Sequence, residues 1–225
     1  MKKKEINILS IETSGKTCGV TLCRDKDILF SENITEANMH DKLLATLVQS
    51  AMKILNGDYT LLDAIALSAG PGSFTGLRIG AALAKGIVFN SDIKLIAVPT
   101  LDAIAWHYLQ ETNMNEVEQI LAIIPSHKNL FYIKLFDKDF NTNREIELIV
   151  PERMYDFAPE NCIFVGPGAS LINKAEISGT SSVLNSDMIA SYAYKLYFEN
   201  QFVDADEFVP MYAQDFKPKT MEKAK

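Results

Sequence analysis

GPGSFTGLRIG, residues 70–80, sets glycines at 70, 72, 76 and 80 around a proline, a serine and a threonine, and ends inside a helical pattern. Such a stretch either cradles a phosphate or brings two backbones unusually close. The two familiar phosphate loops do not fit. A Walker A loop reads G-x-x-x-x-G-K-[ST], whereas five residues separate Gly70 from Gly76 here and Leu77-Arg78 follow. The Rossmann fingerprint G-x-G-x-x-G is missed because Gly70, Gly72 and Gly76 are spaced G-x-G-x-x-x-G. Ser73 lies between Gly72 and Phe74, so it does not make the G-x-S-x-G elbow of a nucleophile. Ser73 or Thr75 is placed to cap the following helix. A helix N-terminus attracts anions, which keeps a weak phosphate role open.

Beyond the loop, Gly76, Gly80 and Ala84 recur every four residues and form one stripe, with Leu77, Ala81 and Val88 alongside. Small residues let another element approach closely. Glycine inside a helix is about 1 kcal/mol less favourable than alanine, so Gly80 and Gly86 imply a compensating contact. Helix geometry leaves two candidates for it, the chain's own sheet or a partner's helix.

Upstream, EINILSIE (5–12), CGVTLC (18–23) and ILFSENI (28–34) read as an antiparallel meander with TSGK and RDKD as its turns. Met39, Leu43, Leu44, Leu47, Val48, Ala51 and Leu55 recur at helical spacing. LDAIALSAG (62–70) is a buried strand running into the loop, LRIGAALAKGIVF (77–89) a helix, IKLIAV (93–98) a strand, and Thr100 an N-cap for a helix through Tyr108. The polar stretch QETNMNEVEQ (110–119) then breaks the pattern, so two domains are expected, residues 1–108 and 109–225. The second opens with the strands ILAII (120–124), LFYIKLF (130–136) and REIELIV (144–150). CIFVGPGA (162–169) adds a strand and glycine turn, and SDMIASYAYKLYFEN (186–200) a helix capped by Ser186; FVPMYAQ (208–214) is a last extended segment. The parallel order suggests a structural duplication without a sequence repeat.

The composition is that of a water-soluble chain: 48% hydrophobic and 23% charged residues over 225 positions. Glu5 and Glu12 interrupt the apolar run after Lys2–Lys4, so a secretory signal is not expected and the cytoplasm is. Cys18, Cys23 and Cys162 show no metal or disulfide spacing. Net charge is −7, and the basic clusters are Lys2–Lys4 and KPKTMEKAK from 217. RNA affinity comes largely from phosphate neutralisation, so any RNA contact is expected through a partner.

GPGSFTGLRIGAALAKGI after LDAIALSAG, with ILSIETSGKTCGVTL at the start and MHDKLLATL between, resembles the TsaB (YeaZ) family from about residue 6 to 105. The second half is similar only through VGPGA and PMYAQ. The resemblance implies an α/β fold of the actin-like ATPase type (ribonuclease H-like, duplicated), two related domains each with a mixed sheet and flanking helices. It implies a non-catalytic subunit of the machinery that makes threonylcarbamoyladenosine in tRNA. Such a subunit pairs with its catalytic paralogue TsaD, is joined by the ATPase TsaE, meets tRNA only through the complex, and self-associates through the same surface. It favours a partner-facing stripe, made of Phe74, Thr75, Gly76, Leu77, Gly80, Ala81, Ala84 and Val88 with His40, Leu44 and Leu47. On that reading Gly80→Leu or Ala84→Arg breaks pairing and leaves the protein folded.

TsaD holds a metal through H-x-x-x-H, which places two imidazoles on one helix face. Here Leu44 stands four residues after His40, and His107 and His127 form no such pair. No metal ligand, no catalytic residue and no metallopeptidase activity are expected. Glu12, Thr13, Ser14 and Gly15 occupy the first strand–turn, where actin-like ATPases approach phosphate, so weak binding of ATP or ADP with magnesium is the one cofactor expectation. Where the family pattern often reads IDAR, this chain reads IPSH at 124–127, with Pro125 at the aspartate's place. Two other functions stay open: a stand-alone actin-like ATPase or phosphotransferase dependent on Glu12, and a homodimeric binding module.

Overall fold

A computed structural model describes residues 5–36, 39–111, 118–142, 144–159, 161–171 and 183–211. Lys2–Lys4, the basic stretch from 217, most of the polar stretch at 110–119 and the end of the segment at 208–214 lie outside the described residues. The chain opens with β1 (Asn7–Glu12), β2 (Thr17–Arg24) and β3 (Asp27–Thr35). Then come α1 (His40–Met52), β4 (Ala64–Gly70), α2 (Phe74–Val88), β5 (Lys94–Pro99) and α3 (Thr100–Glu111). A second set follows: β6 (Gln119–Pro125), β7 (Phe131–Asp137), β8 (Glu147–Ile149), the short α4 (Met154–Phe157), β9 (Cys162–Val165) and α5 (Ser186–Phe198).

The sheets run β3-β2-β1-β4-β5 and β8-β7-β6-β9. Each is a meander whose first strand also pairs in parallel with a later one, β1 with β4 and β6 with β9. The strand period of two divides β1 between two cores. Leu9 and Ile11 face α1 and α2, while Ile8 joins a core that reaches α3, α5 and the second sheet. In that shared core Ile96, Val98 and Ile104 pack with Ile120, Ile124 and Phe136. A buried ion pair spans the same junction, with Lys134 Nζ on β7 2.9 and 2.8 Å from the two oxygens of Asp102 on α3. Burial pushes the Asp102 carboxyl above its ordinary range, and the lysine opposes that shift.

Helix α3 runs to Glu111, past the expected division at 108/109. Residues from 186 onward, placed in the second half by that division, return to the first sheet. α5 packs on β1, β2, β4 and β5, Val203 donates its N–H to the Leu95 carbonyl at 2.9 Å, and Met211 donates to Ala69 at 2.7 Å. Two caps also differ from expectation. Asn185, not Ser186, caps α5 by accepting the Met188 N–H. Thr100 is the first residue of α3, and its hydroxyl accepts from the Gly70 N–H at 3.2 Å.

Candidate functional site

The GPGSFTG loop joins β4 to α2, and α2 starts at Phe74, three residues before the expected LRIG. Ser73 makes this early start by taking extended angles and accepting the Gly76 N–H at 3.2 Å. The loop lies directly on the β1–β2 turn, where the Ser73 N–H donates to the Ser14 carbonyl at 2.6 Å. A Cβ on Gly72 would stand 2.5 Å from that same carbonyl oxygen, and one on Gly76 would overlap the Thr13 carbonyl oxygen. A Cβ on Gly80 would overlap the Thr13 hydroxyl. The glycines therefore bring two backbones together, as only residues without a side chain allow.

Most residues of the expected partner-facing stripe lie inside the chain. Gly76, Leu77, Gly80, Ala81, Ala84 and Val88 are all buried against the chain's own first sheet, as are Leu44 and Leu47 of α1. The apolar face of α2 is occupied before any partner arrives. Gly80→Leu or Ala84→Arg would disrupt the core, so neither leaves a folded protein in which to test pairing. Phe74 and Thr75 are exposed. His40 opens α1 with Nε2 3.0 Å from the Thr17 carbonyl oxygen, tying the helix to the start of β2.

Glu12, Thr13 and Ser14 are buried, and they face inward. The Glu12 Oε1 accepts from the Ser14 N–H at 2.5 Å, the Ser14 hydroxyl at 2.7 Å and the Gly15 N–H at 3.1 Å. Among the described residues nothing hydrogen-bonds its Oε2, nor the buried hydroxyl of Ser10 two residues earlier on the same face of β1. Burial pushes the Glu12 carboxyl from its ordinary 4.5 up to about 7, against the hydrogen bonds from Ser14 and Gly15 that pull it down.

A phosphate loop needs free N–H groups, and these donors are already engaged. Ser14 and Gly15 donate to Glu12, Ser73 to Ser14, Gly76 to Ser73, and Gly70 to Thr100. Around Glu12, then, five backbone N–H groups of the turn and loop are spent within the chain. On the second half, Pro125 ends β6 opposite Phe131 and offers no carboxylate. Among the described residues no group of three or more His, Cys, Asp or Glu side chains could hold a metal ion. No helix among them is long and apolar enough to cross a membrane. A groove of about 530 Å³ opens at the other end of β1, between the β2–β3 turn, α3 and α5, where Trp106, Tyr194 and Phe198 line it with Asp25, Lys26 and Asp187.

Two features escaped the sequence reading. The start of α5 is bound to the first hairpin: Asn33 Oδ1 accepts from the Ser186 N–H and hydroxyl, both at 2.9 Å, and Asp187 accepts from Thr21 and Ser31. These are polar residues far apart in sequence, and no local pattern links them. The second is a stripe on the outer side of α2. Thr75, Ala82 and Gly86 are exposed on it, Ile79 between them is half-buried against the core, and Phe89, 78% exposed, follows the last helical residue; a Cβ on Gly86 would meet nothing within 4 Å. The signal was present in Gly86, a helical glycine with no inward contact.

The family model described as "TsaD: tRNA N6-adenosine threonylcarbamoyltransferase" matches residues 34–195. Similar proteins include the tRNA threonylcarbamoyladenosine biosynthesis protein TsaB of Haemophilus influenzae, 24% identical over 94% of this chain and 95% of its own. The Escherichia coli protein of that name is 29% identical over 72% of each chain. Among solved structures, a Pseudomonas aeruginosa protein described as similar to peptidase YeaZ superimposes with a TM-score of 0.78 at 22% identity, over 93% of this chain and all of its own. The two sheets with flanking helices are those of the actin-like ATPase fold. The family model covers well over half of the chain and the relatives most of its length, so the chain belongs to the threonylcarbamoyltransferase family, on its TsaB (YeaZ) branch.

Proposed function

We propose that this chain is a non-catalytic scaffold and activator in the making of threonylcarbamoyladenosine in tRNA. It pairs with a TsaD-like catalytic paralogue, a TsaE-like ATPase joins the assembly, and tRNA is held by the complex in the cytoplasm. The observation that carries the reading is the outer stripe of α2. Thr75, Ala82 and Gly86 present small exposed groups along α2 at spacings of seven and four, and Phe89 an exposed ring just past its end. The inner stripe is spent on the chain's own core, so this outer one takes over the partner-binding role. The inward-turned Glu12 and the engaged donors around it support the non-catalytic part, and they disfavour a stand-alone ATPase.

The test is threonylcarbamoylation of unmodified tRNA by TsaD, TsaE, ATP and the adenylate-forming enzyme, with and without this protein. Product that depends on this protein supports the activator role, and product unchanged by its omission refutes it. Ala82→Arg and Phe89→Asp alter exposed positions, so the fold is expected to survive them. Both variants should reduce co-elution with TsaD at least tenfold in apparent affinity, since a charge buried in a helix interface is strongly unfavourable. Normal pairing by both would exclude this face. A second copy of the chain competes for the same stripe, and light scattering of the isolated protein measures that homodimer.

A further inference from the structure

The groove at the far end of β1 plays no part in the proposed pairing through α2. Asp187, Ser191, Tyr194 and Phe198 recur at spacings of four and three, so one face of α5 makes its wall. Trp106 of α3 and the β2–β3 turn at Asp25 and Lys26 line it too. Beside Trp106 the groove already holds a cation. The Lys195 ammonium lies 5.6 Å from the Trp106 ring, 5.9 Å from Phe140 and 5.7 Å from Tyr192, and 2.7 Å from the Glu199 carboxylate. Aromatic faces and one carboxylate make a filled cation site. The Tyr194 side repeats that chemistry. The rings of Tyr194 and Phe198 are 4.9 Å apart. Lys26 Nζ lies 5.6 Å from the Tyr194 ring, which brings Asp25 of the same turn beside it. Among the described residues neither Asp25 nor Asp187 is in an ion pair. We propose that this side of the groove is a docking site for a segment of a partner protein, which inserts an arginine side chain against Tyr194, Asp25 and Asp187.

Charge selects the occupant. Asp187 Oδ1 accepts from the Thr21 hydroxyl at 2.6 Å and the Ser31 hydroxyl at 2.7 Å, and Asp25 Oδ1 accepts from the Ile6 N–H at 3.3 Å. These donors position both carboxylates without neutralising them. Lys195 and Glu199 cancel each other, so the lining keeps two carboxylates against the one ammonium of Lys26. Guanidinium pairs with carboxylates and lies flat on an aromatic ring, whereas lysine is a compact, strongly hydrated charge. Ile28, 55% exposed, and Phe198, 47% exposed, add apolar contact for the neighbours of that arginine, which makes the ligand a peptide segment and not a free cation. Single-stranded RNA also stacks on rings, but its phosphates would meet the excess of carboxylate. Lys26 is displaceable, because a cation–π contact at an exposed site is weak. The groove and the GPGSFTG loop lie at opposite ends of β1, so an occupant here leaves α2 clear.

Trp106 is the chain's only tryptophan and it lines the groove, so its fluorescence reports occupancy. The probe is the blocked peptide acetyl-Ser-Leu-Arg-Leu-Ser-amide, titrated into the full chain, with glutamate replacing the arginine as control. The arginine peptide should give a saturable change and the glutamate peptide none. The isosteric double variant Asp25→Asn/Asp187→Asn keeps the acceptors for Ile6, Thr21 and Ser31 and removes both charges; it should weaken binding at least about tenfold. Lys26→Ala removes the competing ammonium from the Tyr194 ring and should tighten binding about threefold. Absence of saturation by the arginine peptide, an equal response to the glutamate peptide, or weaker binding in Lys26→Ala overturns the proposal. A Trp106 response that saturates with oligoadenylate and not with the arginine peptide also overturns it, and makes the groove a nucleic-acid site.

Discussion

Two glycines ten residues apart on α2 should respond to the same substitution with opposite signs. Gly76→Ala puts a methyl into the Thr13 carbonyl oxygen, a backbone atom that cannot rotate away. Helix and turn must separate by about 1 Å to restore van der Waals contact. Overpacking of this kind costs about 1–3 kcal/mol. The same movement stretches the 2.6 Å bond from the Ser73 N–H to Ser14, worth about 1 kcal/mol. Alanine returns about 1 kcal/mol through helix propensity, so the net loss is about 2 kcal/mol. Gly86→Ala meets nothing within contact distance, so only the propensity gain of about 1 kcal/mol remains. In a chain of this size 1 kcal/mol moves Tm by about 2–4 °C. Gly76→Ala should therefore melt about 6 °C lower, and Gly86→Ala about 3 °C higher, by circular dichroism at one heating rate. Equal shifts of the same sign would refute the assignment of inner and outer faces. A gain from Gly76→Ala would remove the close backbone contact altogether.

Three further outcomes follow from the polar interior. The raised Glu12 carboxyl stabilises the fold fully below about 4.5, and that contribution is lost as pH rises to about 7, a difference of about 3 kcal/mol; urea midpoints should lose this slope in Glu12→Gln, and an unchanged slope would assign the pH dependence elsewhere. Lys134→Met leaves Asp102 buried without its cation and should cost about 3 kcal/mol, most of which returns in the double variant Asp102→Leu/Lys134→Met; full additivity of the two changes would show that the pair does not interact. Asn33→Ala removes both acceptor contacts to Ser186 and should cost about 1–2 kcal/mol, with faster hydrogen exchange at the start of α5 and none at the start of α2.

The strands and helices were legible because periodicity and turn residues are local. NILSIE, the GPGSFTG turn and the spacing of the small residues on α2 each carry their own signal. Which side of α2 those residues face is not local. The approach of Thr13 to Gly76 and Gly80 depends on pairing β1 with β4, contacts some 55 residues apart such as Thr13 N–H to the Ser68 hydroxyl. A stripe of small residues reads the same whether it meets a turn of its own chain or a partner's helix, so spacing could not choose between them. The hidden difference lay in the glycines themselves: Gly80 repays its low propensity by close contact, while Gly86 does not. The return of α5 to the first sheet was likewise invisible, because the Asn33–Ser186 bonds join residues 153 apart.

The proposed pairing would give one helix two neighbours. Its inner glycines sit against the turn at Thr13 and Ser14, and Thr75, Ala82 and Gly86 stand exposed on its other side. A rigid helix cannot move one side without the other, as its inner side chains sit in a close-packed core that resists small displacements. On the proposed pairing, pressure on Ala82 and Gly86 from a bound helix would reach Thr13 and Ser14 across the width of α2. If pairing shifts α2 at all, it should alter the protection of the Ser14 and Gly15 amides in the complex, although neither residue touches the partner. Unchanged protection on pairing would mean that α2 is a fixed platform, and that the sealed turn and the partner face are independent consequences of one glycine-rich segment.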